Sequence, residues 1–305
     1  MFGYLLSYVY YRRADLDELA ASTGRDDLTF FADSGAFSAH TLGSSIDLRD
    51  YADWIERWRH RIHAYASLDV LFDAEGTVRN TAALRELGLD PMPVFHLGSP
   101  LRVFKRYLDE CSYVGVGGMA SGALTMRDPR MWNYLDQLHG MAASAGVGLH
   151  GFGLSSWPVI RRFPWRSVDS STPGTGYRYG RVQVFDPYSD RFLMWALRDR
   201  RAWHRHGWLV REYGMAPEDF TGGNVSIRHA LIQIAARSWS RATRELGGDV
   251  YVALAGASEG VGPWDEGNTW VYVTDTAMRE MVPGGAGTRL RVYDEGNRWS
   301  PAVVT

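Results

Sequence analysis

Short β-rich apolar runs alternate with helically spaced stretches from almost the first residue of this 305-residue chain. No other feature constrains the fold as much. The runs are Tyr4–Tyr8, Leu28–Asp33, Ala64–Val70, Met92–His96, Tyr113–Gly117, Gly148–Phe152 and Arg166–Asp169. Between them, Leu48, Tyr51, Ile55, Trp58 and Ile62 recur in steps of three and four, which puts five apolar side chains on one helical stripe. Thr77–Leu87, Leu101–Glu110 and Pro129–Ser144 also have helical spacing, with Ser99-Pro100 and Asp128-Pro129 as N-terminal signals. Strand, helix and strand repeated in this way require parallel strands joined by crossovers. Seven strands by residue 169, and an eighth at Asp249–Leu254, predict an α/β fold of the (β/α)8 TIM-barrel type. A doubly wound sheet is the other architecture compatible with the pattern.

The alternation breaks after about residue 186. Two long helical patterns follow, Arg191–Tyr213 and Val225–Leu246, the second closed by Gly247-Gly248 as a C-cap signal. From Asp249 the tail is strand-like and rich in glycine. The simplest organisation is one domain over 1–305 with a helical insertion at about 187–248 and a strand-containing C-terminal segment. A hydrophobic fraction of 45% excludes a disordered chain. Thirty-three basic against thirty-five acidic residues, a net charge of −2, exclude a uniformly basic nucleic-acid binder but not a local basic patch. The single cysteine, Cys111, rules out an intrachain disulfide and a cysteine-rich zinc cluster. The apolar start, Met1–Tyr10, lacks a basic flank and meets Arg12-Arg13 too early to span a bilayer. The expectation is a soluble cytoplasmic protein with no membrane partner. Lys105 is the only lysine, which fits the codon bias of a GC-rich genome better than dedicated phosphate recognition, since arginines occur along the whole chain.

Three acids stand where strands of such a fold end: Asp33 before Ser34-Gly35-Ala36-Phe37, Asp69 after Ala66-Ser67-Leu68, and Asp169 before Ser170-Ser171. The working residues of a barrel sit at the C-terminal strand ends. Any one of these acids could instead cap a helix. Three at successive strand ends favour chemistry, because retaining glycosyl transfer needs two carboxylates, one nucleophile and one acid/base. The cluster Gly115-Val116-Gly117-Gly118-Met119-Ala120 matches a dinucleotide fingerprint only formally, since no helix starts at the glycines. It reads better as a strand end that a flat ligand can approach. His60 and His63 lack a third metal ligand, whereas His96 and His150 lie at strand ends, where a binding role and a satisfied buried histidine are both open. No cofactor or metal is expected.

Charge is uneven. Between Arg161 and Arg211 there are eleven arginines and four aspartates, a local excess of +7. With Tyr177, Arg178, Tyr179 and Arg181, this aromatic-basic mixture suits a nucleic-acid backbone and unstacked bases, although Arg198–His206 also reads as a solvated helix face.

Four ordered segments carry a resemblance: Asp33-Ser34-Gly35-Ala36-Phe37, Ser67-Leu68-Asp69, Val116-Gly117-Gly118-Met119, and His150-Gly151-Phe152-Gly153 leading to Asp169. They resemble the tRNA-guanine transglycosylases, which exchange guanine for a 7-deazaguanine on a (β/α)8 barrel. The resemblance implies that Asp169 is the nucleophile at the sugar C1′ and Asp33 the acid/base carboxylate. It further implies that Asp69 and the backbone of Gly117, Gly118 and Met119 read the base edge, and that the purine lies between Phe37 and His150, with Gly151 beside it. His96 stands in place of a base-reading glutamine, and Ala36-Phe37-Ser38 departs from the usual glycine, aromatic and glutamine. The family's three-cysteine, one-histidine zinc site cannot form with one cysteine. That absence makes the chain most similar to the short, zinc-free phage-type enzymes that put 7-deazaguanines into DNA. DNA and a free 7-deazaguanine base are thus the expected partners, with Arg166, Arg178 and Arg181 holding the nucleic acid. A zinc-free tRNA enzyme and a non-catalytic nucleic-acid-binding subunit are the competing expectations, and a small-sugar hydrolase has less support.

Overall fold

The computed structural model describes residues 3–22, 29–119, 128–170, 172, 176, 179–244, 246, 248–254, 259–261, 272–274, 290–293 and 299–302. It is a mixed α/β fold. Eight parallel strands form one sheet: β1 (Gly3–Ser7), β2 (Thr29–Asp33), β3 (Ile62–Tyr65), β4 (Val94–His96), β5 (Tyr113–Gly117), β6 (Gly148–Gly151), β7 (Ser167–Ser170) and, after an antiparallel hairpin of β8 (Arg181–Asp186) and β9 (Arg191–Ala196), β10 (Asp249–Leu254). Their order is β3-β2-β1-β10-β7-β6-β5-β4. A parallel bridge joins Ala66, just past β3, to Met92, just before β4. Two hydrogen bonds make it, from Met92 N to Tyr65 O and from Ser67 N to Met92 O, each 2.8 Å.

Side chains alternate across a strand, so each strand here feeds two cores. Leu6, Phe30 and Ala32 belong to the large core under the helices, whereas Leu5, Phe31, Ala66, Met92, Val94 and Tyr251 form a separate small cluster on the other face. Both faces of the sheet are therefore buried, as parallel sheets require.

The helices are α1 (Tyr8–Tyr11), α2 (Leu16–Ser22), α3 (Ala36–Thr41), α4 (Leu48–Arg57), α5 (Ala74–Glu86), α6 (Leu101–Glu110), α7 (Pro129–Ala145), α8 (Trp157–Arg162), α9 (Arg200–His206) and α10 (Asn224–Thr243). Their starts follow capping chemistry. Asp47 accepts from Arg49 N and Asp50 N, Asp73 from Gly76 N, and Asp128 from Arg130 N with Pro129 following it. Of the predicted stripe, Tyr51 and Ile55 are buried on α4, with Ala52 and Trp54 buried beside them, while Leu48 and Trp58 are half-buried. The stripe stops short of the predicted length: Arg57 ends the helix and Ile62 already opens β3.

The predicted helix over Arg191–Tyr213 is not one helix. Arg191–Ala196 is strand β9, Arg200–His206 is helix, and Gly207–Tyr213 is a 3-10 turn. The turn of Asp186-Pro187-Tyr188-Ser189-Asp190 decides this. Asp186 accepts from Tyr188 N at 3.0 Å and from Ser189 Oγ at 2.5 Å, and Asp190 takes φ 50°, so the chain reverses into a hairpin. The insertion thus begins as a hairpin, clamped where the Trp157 indole, at the start of α8, donates to the Asp190 carbonyl and packs on Phe185. Within the C-terminal segment, Glu259–Val261 pairs with Tyr272–Thr274 and Leu290–Tyr293 with Trp299–Ala302, both antiparallel. Gly247, half of the predicted C-cap, lies outside the described residues. Among the described residues no helix is long and apolar enough to cross a membrane.

Candidate active site

Each acid lies at or just beyond the C-terminal end of a strand. Asp33 is the last residue of β2 and pairs in register with Ser7, the last of β1. After it the chain must reverse into α3, and Gly35 makes that turn at φ 76°. A Cβ at Gly35 would collide with Ser7 Oγ and Val9, so both conformation and space call for glycine. The same turn aims Gly35 N–H at Asp33 Oδ2, 3.2 Å away. Enclosure by protein, followed by the neighbouring carboxylates of Asp69 and Asp169, pushes the Asp33 carboxyl up to about 8 against the pull of the Gly35 and Ser34 amides. The shift favours the protonated form of Asp33 near neutral pH.

Asp69 has both oxygens engaged. Ser34 Oγ donates to Oδ1 at 2.9 Å and His96 Nε2 lies 2.8 Å from Oδ2. His96 ends β4, and beside it Leu97 N–H donates to Gly117 O, which locks the ends of β4 and β5 together. Gly117 backs onto the His96 ring, where a Cβ would come within 3.3 Å of it, and Gly118 turns at φ 85°. Met119 is half-buried against the main core.

Asp169 is 5% exposed. Gly153 N–H donates to its Oδ1 at 2.9 Å, and His150 Nε2 lies 3.2 Å from the same oxygen. Asp33, Asp69 and Asp169 thus share one electrostatic neighbourhood, and Phe37, on the first turn of α3, stands 58% exposed.

Two expectations need correction. His150 has no face open to a base: it is fully buried, hydrogen-bonded at both nitrogens, and packed by Phe31 and Phe152 with ring centroids 4.7 and 4.4 Å away. It supports Asp169 instead. Arg166 precedes Asp169 by three residues on the same strand line, which at a rise of ~3.3 Å per residue puts it about 10 Å towards the N-terminal strand ends. Its guanidinium lies 4.5 Å over the Tyr113 ring and, with Asp249, lines a cavity of about 440 Å³ there. Adjacency in sequence concealed that separation along the strand. Arg181 is exposed at the start of the hairpin, and Arg178 lies outside the described residues. Gly151 is buried at the end of β6, near Met119.

Sequence reasoning missed Ser34, Gly153, Ser167 and Tyr113. Period-two parity would have found Ser167, since it faces the same way as Asp169 two residues later. No local signal marks Tyr113. Among the described residues, no group of three or more His, Cys, Asp or Glu is placed to hold a metal ion. No protein-family model matches the chain, and no curated protein matches it.

Proposed function

We propose that the chain is a base-exchange transglycosylase that replaces guanine in DNA by a 7-deazaguanine through a covalent aspartyl-sugar intermediate. In this reading the parallel sheet is a closed (β/α)8 barrel with a hairpin-and-helix insertion. The strand order supports closure because its two edge strands, β3 and β4, are joined by the Ala66–Met92 bridge. The small apolar cluster is then the barrel interior, and Asp33, Asp69, His96 and Asp169 lie around its C-terminal mouth.

The observation that carries the reading is the electrostatic coupling of two acids at C-terminal strand ends: Asp33, whose carboxyl is pushed up by burial and by Asp69 and Asp169, and Asp169, anchored by Gly153 N–H. Asp169 Oδ2 attacks C1′ as the C1′–N9 bond breaks, and Asp33 gives its proton to the departing guanine. The sugar is left as an ester on Asp169, and Asp33 as a carboxylate. The incoming 7-deazaguanine loses its N9 proton to Asp33 as N9 bonds C1′ and releases Asp169. Charge and protons return to their starting state, so one acid/base serves both halves. Asp69, His96 and the Gly117-Gly118 backbone offer donors and acceptors for the base edge, and exposed Phe37 offers a stacking face. A purine within a duplex cannot reach such a pocket unless flipped out. The phosphate-binding surface in this reading is α9 and its flanks, where Arg198, Arg200, Arg201 and Arg205 are all exposed near the half-exposed Trp208.

The test is incorporation of labelled 7-cyano-7-deazaguanine into duplex DNA and, in parallel, into unmodified tRNA. Label in DNA, lost in Asp169→Asn with DNA affinity nearly intact, is the expected outcome. Label only in tRNA transfers the same chemistry to RNA. Label in neither rejects the exchange.

A further inference from the structure

We infer that His150 is a positioning residue for Asp169, held in one tautomer by a buried hydroxyl chain that runs from Tyr113 through Ser167. The inference rests on the reading of Asp169 as nucleophile. Its geometry is a continuous series: the Tyr113 hydroxyl bonds Ser167 Oγ, Ser167 Oγ lies 2.5 Å from His150 Nδ1, and His150 Nε2 lies 3.2 Å from Asp169 Oδ1. Ser167 is 2% exposed and His150 is completely buried.

With Asp169 as a carboxylate and His150 neutral, one assignment of protons satisfies every link. A carboxylate accepts and cannot donate, so the hydrogen between His150 and Asp169 belongs to Nε2. Burial lowers the basicity of His150, against the pull of Asp169, and the neutral ring then leaves Nδ1 bare. A bare Nδ1 accepts, so Ser167 donates to it. Ser167 Oγ in turn accepts from the Tyr113 hydroxyl, which burial keeps protonated by pushing it up to about 12. All three links therefore point towards Asp169. The ring cannot swing out of line, because Phe31 and Phe152 pack against it.

The consequence falls on the two oxygens of Asp169. Oδ1 takes both described donors, Gly153 N–H and His150 Nε2–H, which leaves Oδ2 as the reacting atom. A neutral donor fixes the carboxylate without the charge stabilisation an imidazolium would supply. Such stabilisation would blunt the nucleophile.

Two measurements decide this. Imidazole nitrogen NMR on the intact chain with ¹⁵N-labelled histidine should show His150 neutral, with its proton on Nε2, from pH 7.5 to 9. A proton on Nδ1 or an imidazolium overturns the assignment. In the exchange assay, His150→Phe keeps an aromatic ring but removes the donor, and should lower kcat by about 10- to 100-fold with the KM for the incoming base unchanged. Ser167→Ala deletes one buried atom, guards against misfolding of the first variant, and should let the tautomers mix and lower kcat by roughly 3- to 10-fold, while Ser167→Thr recovers most of that loss. Turnover equal to the parent in both His150→Phe and Ser167→Ala rejects the positioning role. A parent chain that exchanges no base, yet shows the fixed tautomer, keeps the hydrogen-bond chain and removes its catalytic purpose together with the transglycosylase reading.

Discussion

Asp33 links the energetics of the fold to its chemistry. Its carboxyl is raised from an ordinary value near 3.8 to about 8, so between those pH values the folded chain holds a proton that the unfolded chain has released. The unfolded state then binds fewer protons, and stability falls as pH rises through that window. Asp33→Asn, which cannot ionise, should flatten this part of the profile and raise the melting temperature at pH 8 relative to the parent, while abolishing exchange. Melting scans at pH 5, 6.5 and 8 check it, and an unchanged slope would show that Asp33 ionises normally. At this scale much was legible in the sequence. Asp33, Asp69 and Asp169 stand out because each follows an apolar run, and His96 because it ends one. The partner of each was not legible, because Ser34 meets Asp69 across 35 residues and Tyr113 meets Ser167 across 54. The role of His150 was misread for the same reason: burial depends on what the other strands bring against it.

Among the elements, the β2–α3 turn bears most directly on the site. Gly35→Ala forces a side chain into a left-handed turn and against Ser7 Oγ, so it should destabilise the chain by more than ~1 kcal/mol. Because the turn also delivers Gly35 N–H to Asp33, activity should fall more than stability does. Urea titration beside the exchange assay separates the two effects, and parental values in both would show that the turn tolerates a Cβ. Strand positions were well marked by their apolar runs: Tyr113–Gly117 and Asp249–Leu254 coincide with β5 and β10. The insertion was not. In Arg191–Tyr213 the apolar spacing fits a helix, but Asp186 and Asp190 set a reversal that periodicity cannot register, and the hairpin is then fixed by pairing with Arg181–Asp186.

For the whole molecule, the net charge of −2 conceals a strong division, since the +7 segment from Arg161 to Arg211 leaves −9 on the remainder. If α9 and its flanks hold phosphates, affinity for DNA should fall steeply with salt. Replacing Arg200, Arg201 and Arg205 together by alanine should weaken binding and reduce the slope of log affinity against log salt by roughly 0.9 for each phosphate no longer neutralised. Fluorescence anisotropy over a salt series measures this, and an unaltered slope would move the nucleic-acid surface elsewhere. The join between β3 and β4 also matters at this scale. Each neighbouring pair in the strand order shares at least two register pairs, whereas the two edge strands are linked by the single Ala66–Met92 bridge and its two hydrogen bonds. It is the thinnest stitch in the sheet. Hydrogen exchange should find the Ser67 and Met92 amides opening before other strand amides, and slower exchange there than in β1 or β2 would contradict this. Asp69 lies two residues beyond Ser67, so the proposed base-reading edge would sit where the sheet gives most easily. In the proposed reading, a site that releases one purine and admits another would be hinged at its recognition side and clamped on the Asp169 side.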